Sequence, residues 1–273
     1  MTSQPPQIVF DKLSLYLDGK CYLKQVDLQL HEGQTLVIAG APGCGKSFVL
    51  RVLLGMPGVP QSEVVEYEGE VLVDGVSILG LNSSELQKMR RQMGSLMRGG
   101  GLIDNMDIRR NITLPLVYHF RELMDIEDID ARCSSLLAAM GFEYLDQPGR
   151  RPVSLNREEM LYVALSRALI NAPRLLLLDD PLLGLSPGAA IRFLDFLFYR
   201  PEFGDGIHLH KNDSGAVTRL LATSSLNYYL ERGDLFAVLH NQSLIMVGDQ
   251  EAVLQSKDPY VQDLLSPRES NNE

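Results

Sequence analysis

Alternating apolar and polar positions open the chain. Residues 7–30, QIVFDKLSLYLDGK followed by CYLKQVDLQL, alternate with period two and break at Asp18-Gly19, which predicts two or three short strands around a tight turn. GQTLVIAG is a short apolar strand ending in glycine. FVLRVLLGM is apolar at helical spacing and closes at Gly55 and Pro57. GEVLVDGVSI predicts a second hairpin, turning at Asp74-Gly75. From 84 to 145 the pattern is largely helical, with ELQKMRRQM and DARCSSLLAAMGF as helices and the charge-rich RELMDIEDIDAR as a solvated connection. After 170, RLLLLDD reads as a buried strand closed by two carboxylates, GAAIRFLDFLFY as a helix, and RLLATSS and LFAVLHNQSLIMVG as further strands. Strands alternating with helices predict a parallel sheet covered on both faces. The polar stretch 201–215 reads as an insertion.

Composition narrows the function classes. The 273 residues, 45% of them hydrophobic, can bury a full core as one domain with a lobe or as two small domains. A net charge of −10 argues against non-specific binding to nucleic acid or anionic lipid as the main activity, so no nucleic-acid partner is expected. Cys21, Cys44 and Cys133 lack disulfide or metal spacing and fit a reducing cytoplasm. No apolar run approaches the roughly 18 residues of a membrane span, and MTSQPPQIVF lacks a leader pattern, so a partner must supply any membrane. His208 and His210 could face one way on a strand, but no carboxylate or cysteine cluster accompanies them and no metal site is expected there.

Candidate chemistry begins at GAPGCGKS. Gly40, Ala41, Pro42, Gly43, Cys44, Gly45, Lys46 and Ser47 match G-x-x-x-x-G-K-[ST] between a predicted strand and a predicted helix that begins with Phe48. Glycines let main-chain amides turn onto a β-phosphate, Lys46 reaches the β/γ oxygens, and Ser47 can ligate Mg²⁺. The bland alternative is a glycine-rich turn with a chance lysine. At the end of RLLLLDD, Asp179 can order the water shell of Mg²⁺ and Asp180 stands where a general base would be. The same pair could merely cap a turn before Pro181. Further along the chain, VSLNREEM puts Asn156 and Glu159 at capping-box spacing ahead of an apolar helix, with Glu158 adding negative charge.

The order of these motifs, over roughly residues 7–265, resembles the nucleotide-binding subunit of ABC transporters. LSRALINAPRLLLLDDPLLGLSP carries the general likeness. MGSLMRGGGLIDNMDIRRNITLPL and VGDQEAVLQSKDPYVQDLL look specifically like the ATPases of MCE-associated lipid transporters of the Mla type. The resemblance implies an α/β P-loop NTPase (ABC ATPase) core over 1–97 and 166–250, an antiparallel β subdomain, an inserted α-helical subdomain over 98–165, and a C-terminal extension over 251–273. ATP and Mg²⁺ are the implied cofactors, with Phe48 beside the loop and Tyr16 as the adenine-stacking aromatic. The implied partners are an integral membrane permease, docked near Arg98 and residues 99–116, and a second ATPase, either another copy or a homologue. The implied location is peripheral, on the inner face of the cytoplasmic membrane.

The sequence departs from that family at the positions around the γ-phosphate. Arg98 stands where a glutamine bridges Mg²⁺, water and permease. Leu155-Asn156-Arg157-Glu158 stands where the signature reads leucine-serine-glycine-glycine. Asp180 replaces the glutamate base, Ser186 the aspartate of the D-loop, and Ser224 the switch histidine. A self-capped helix bearing Glu158 would repel a neighbour's phosphate, with Arg157 as a possible compensating cation. The departures predict a subunit that binds ATP with weak or no hydrolysis. A non-hydrolytic nucleotide-binding regulator or scaffold, and an active ATPase that uses Arg98 as an internal arginine finger, remain as alternatives.

Overall fold

The computed structural model describes residues 5–58, 64–199 and 217–266. The chain divides into two compact units, the described residues of Met1–Gln87 with Thr218–Glu273, and those of Lys88–Val217.

The first unit opens with β1 (Ile8–Leu17) and β2 (Lys20–Leu30), antiparallel and joined by Asp18 and Gly19 at φ 50° and 75°. Both turn residues are left-handed, which is why an Asp-Gly pair suits the site. A bulge at Lys12 (φ 48°) resets the pleat, so that Ile8 and Phe10 before it and Leu13, Leu15 and Leu17 after it all point into the core. Asp27 accepts the amide of the bulged residue at 3.0 Å. β4 (Val65–Val73) pairs antiparallel with β1, and β5 (Val76–Ser77) with β4, turning at Asp74 and Gly75 as the sequence predicts.

The same unit contains β3 (Thr35–Ala39), buried throughout, between β8 (Thr218–Thr223) and β9 (Leu235–His240), parallel to both. An unbroken apolar run is what a strand covered on both faces requires. β10 (Ser243–Gly248) returns antiparallel on β9. Helix α1 (Lys46–Leu53) follows β3 and packs on β8 and β2. α2 (Ser83–Arg90) leads the chain out of this unit. α7 (Gln250–Gln255) and α8 (Pro259–Leu265) return it to the β9 and β10 side.

The second unit pairs β6 (Met93–Leu96) in parallel with β7 (Leu175–Asp179) and adds α3 (Ile108–Phe120), α4 (Ile126–Ala139), α5 (Arg157–Leu169) and α6 (Pro187–Tyr199), with α5 packed on β6 and α3 and α4 packed on α5. Two sequence expectations change here. The stretch 84–145 is not continuously helical, because 93–96 is a strand and 97–107 is irregular. RELMDIEDIDAR is not simply a solvated link either. Its second half forms the first turns of α4, with Ile129 and Arg132 buried. The 201–215 stretch, with His208 and His210, lies outside the described residues.

Candidate functional site

The candidate phosphate loop lies in the first unit. β3 ends at Ala39 and the chain turns through Gly40–Gly45 into α1, with Gly45 as N-cap at φ 112°, a conformation strained for any residue with a Cβ. No side chain caps α1. The amides of Gly43, Gly45, Lys46 and Ser47 have no hydrogen-bond acceptor among the described residues, and they lead into the positive end of a helix dipole. Such a cradle fits a phosphate. Lys46 is 5% exposed, and its ammonium donates to the carbonyls of Gly40 at 2.7 Å and Ala41 at 3.0 Å, folded back over the loop it serves. Cys44 donates its amide to Ala41 O at 3.2 Å, and its Sγ lies 3.8 Å from Lys46 Nζ. Phe48 packs its ring on Tyr22 at 4.6 Å between centroids. Tyr16, half-buried on β1, faces Cys21 across β2 and Glu66 across β4. Ser224 directly follows β8, whose Thr223 carbonyl accepts Gly40 N at 3.1 Å.

The candidate carboxylates belong to the second unit. Asp179 is the last residue of β7 and Asp180 follows in a left-handed conformation at φ 47°; both are buried. The Asp180 carbonyl accepts Leu183 N at 3.1 Å, so a turn starts at the strand end. Ser186 Oγ accepts the amide of Ala189 at 3.3 Å, giving it a capping role at the start of α6. Gly99, Gly100, Arg157, Met160, Asp179 and Asp180 share one small cleft. Arg98 is exposed and does not line it.

The start of α5 contrasts with the start of α1. Asn156 Oδ1 accepts Glu159 N at 2.9 Å, and Glu159 Oε2 accepts Asn156 N at 2.8 Å, a complete capping box. Tyr144 O–H donates to the other Glu159 oxygen at 3.0 Å, and an Arg150 N–H reaches it at 3.4 Å. Burial, then the hydrogen bond to Glu159 and its charge, push the Tyr144 phenol up. Leu155 is buried just ahead of the cap. Arg157 Nε donates to Leu183 O at 3.2 Å, and Glu158 pairs with Arg192 on α6 at 2.8 Å. Every polar side chain at this helix start is therefore committed within its own unit.

Sequence reasoning missed two contacts near these elements. Arg167 donates to the carbonyls of Gly101 at 2.8 Å and Gly100 at 2.6 Å, tying the glycine stretch after β6 to α5. Tyr260, from α8, meets the phosphate loop. Tyr260 falls in the family-like stretch 247–265 and just after Asp258-Pro259, which marks a helix start, but neither signal says what the helix touches. Among the described residues, no group of three or more His, Cys, Asp or Glu side chains could hold a metal by itself, and no helix is long and apolar enough to cross a membrane.

A buried strand, an amide-lined loop with its lysine folded inward and an uncapped helix define a P-loop nucleotide-binding protein. The family model for ABC transporters matches residues 23–183, and the chain belongs to that family, carrying its ATP-binding domain. It is 32% identical over 194 residues to the aliphatic sulfonates import ATP-binding protein SsuB 1 of Xanthomonas axonopodis pv. citri, covering 68% of each chain. It is 28% identical over 250 residues to the spermidine/putrescine import ATP-binding protein PotA of Thermotoga maritima, covering 92% of this chain and 60% of that protein. With the probable ribonucleotide transport ATP-binding protein mkl of Mycobacterium leprae it shares 26% over 246 residues, 90% of this chain and 64% of that one. The chain thus spans only about three fifths of the length of the longer relatives. Its fold matches the ATP-binding cassette MJ0796 bound to ADP and Pi at a TM-score of 0.71 and 24% identity, over 87% of this chain and 96% of that one.

Proposed function

We propose that the chain is the ATP-binding subunit of an ABC-type lipid transport complex of the MCE/Mla kind, and that it binds ATP with weak or no hydrolysis of its own. In this reading Gly40–Ser47 hold the phosphates, Phe48 flanks them, and Tyr16 stacks on adenine. Ser47 and Asp179 hold Mg²⁺, which would neutralise phosphate charge there. The complex supplies a permease, met near Arg98 and 99–116 of a helical subdomain spanning 98–165, and a second ATPase or another copy of this chain. The chain then sits on the inner face of the cytoplasmic membrane without entering it. The relatives' names span sulfonates, polyamines and ribonucleotides, so the lipid assignment leans instead on the stretches 93–116 and 247–265.

One observation carries the weak-hydrolysis half of the reading: α1 starts without a side-chain cap, whereas α5 starts with a complete capping box. In an ABC dimer the α5 terminus is the element offered to the partner's nucleotide, and here the Asn156 and Glu159 side chains already take the Glu159 and Asn156 amides while Glu158 adds negative charge. Asp180 compounds the loss. A carboxylate one methylene shorter than glutamate is withdrawn by about 1 Å, a misplacement that costs on the order of 10²-fold in rate.

The test is ATP binding and turnover measured together on the wild-type chain and on Lys46→Ala, alone and with co-purified partners. Wild type should bind ATP and turn it over far below transporter rates, and Lys46→Ala should lose at least about tenfold in affinity, as removal of a charged phosphate contact predicts. Brisk turnover by the isolated wild-type chain would defeat the proposal.

A further inference from the structure

Helix α8 reaches the phosphate loop through one hydroxyl. The Ala41 amide donates to Tyr260 Oη at 2.8 Å, and Tyr260 O–H donates onward to Leu239 O in β9 at 3.1 Å. The Tyr260 ring packs on the His240 imidazole with centroids 4.2 Å apart. Tyr260 is itself held at a fixed place in the helix. Asp258 accepts its amide at 2.8 Å, Pro259 fills the first helical position, and Val261 and Leu264 are buried. Leu264 O accepts Leu226 N at 3.0 Å, two residues beyond Ser224.

Inside the loop, the Ala41 carbonyl already receives Cys44 N and Lys46 Nζ. Gly40 N is taken by the Thr223 carbonyl. The Ala41 amide therefore depends on a group outside the loop, and the group that meets it comes from 219 residues away. A half-buried amide without a partner costs about as much as a lost hydrogen bond, so the hydroxyl defines where the loop begins.

We propose that Tyr260 is a positioning residue for the phosphate loop: its hydroxyl pins the first turn so that the amides from Gly43 onward face the nucleotide. This links α8 to nucleotide occupancy. The proposal rests on the ATP reading above. By reciprocity, nucleotide that tightens the loop must tighten α8 by the same factor.

Tyr260→Phe keeps the ring and removes the hydroxyl. Hydrogen exchange in the nucleotide-free variant should quicken several-fold over 40–47, and ATP affinity should fall about fivefold, the factor one neutral hydrogen bond carries. Urea unfolding on the same samples separates this from general weakening, since a merely structural tyrosine would lower the midpoint and leave the affinity of the folded chain unchanged. A second measurement needs no variant: ATP added to wild type should slow exchange over 259–265. Unchanged loop exchange in Tyr260→Phe, or no protection of α8 in a wild type that binds ATP, would overturn the clamp. A wild type that fails to bind ATP would overturn the nucleotide reading instead, while loop exchange in the nucleotide-free chains still decides whether the hydroxyl pins the loop.

Discussion

In the proposed reading, Asp180 carries the chemistry of the second unit in a single side chain. It is buried, left-handed and immediately beyond the strand end, so its backbone is fixed while its carboxylate is one methylene shorter than the family's base. Asp180→Glu should raise single-turnover hydrolysis by tenfold or more, part of the roughly 10²-fold that a misplacement of about 1 Å costs. No increase would show that side-chain length is not what limits the step. His119 offers a test in another register. Burial, then the charges of Arg91 and Arg90, lower its pKa below the ordinary value near 6.5. The unfolded chain then binds the extra proton first, so stability rises with pH across the interval between the two pKa values and is lost as pH falls from about 6.5 through the folded value. His119→Gln should flatten that slope in urea midpoints taken between pH 7 and 5.5. Equal slopes in the two proteins would count against it.

Elements show which sequence signals survive folding. The N-x-x-E spacing at 156–159 gave the α5 cap correctly because a capping box is local, satisfied within four residues. Asn156→Ala should cost about 1 kcal/mol in chemical unfolding. The Asp-Gly hairpins and the strand-loop-helix around Lys46 were legible for the same reason. β6 was not. MGSL is short and contains a glycine, and it becomes a strand because Gly94 lets α5 approach. A Cβ on Gly94 would stand 2.2 Å from the Ala168 carbonyl. That is a tertiary demand, invisible to periodicity. The acidic run before α4 misled for another reason. Glu127 and Asp128 lie in the first turn of the helix, where the dipole favours carboxylates, so a charged stretch that read as solvated linker is also a good helix start. Tyr260 was illegible because its partner, Ala41, lies at the other end of the chain.

At the scale of the whole molecule, the proposed reading, with an uncapped start to α1 and a capping box at the start of α5, makes ATP a ligand of this chain more than a bridge between two chains. In a homodimer both composite sites would receive a self-capped α5. With a competent homologue, the partner's good signature would face Asp180 and this chain's Asn156-Arg157-Glu158 would face the partner's ATP, so neither site would be whole. Binding and association should therefore separate. A ligand at 100 times its Kd stabilises the folded state by about 2.7 kcal/mol, which for a chain of this size raises Tm by roughly 5–10 °C. Wild type should show that shift with ATP and Mg²⁺ while its sedimentation stays unchanged. Arg157→Gly combined with Glu158→Gly gives up the contacts to Leu183 and Arg192, surface interactions worth little by themselves. In exchange it uncovers backbone at the α5 terminus and removes one negative and one positive charge, leaving the helix dipole to act on the phosphate. The double variant should keep the thermal shift and add ATP-dependent association, in a homodimer or with a competent partner. Wild type that associates on ATP as strongly as the double variant would show that the α5 cap does not govern closure.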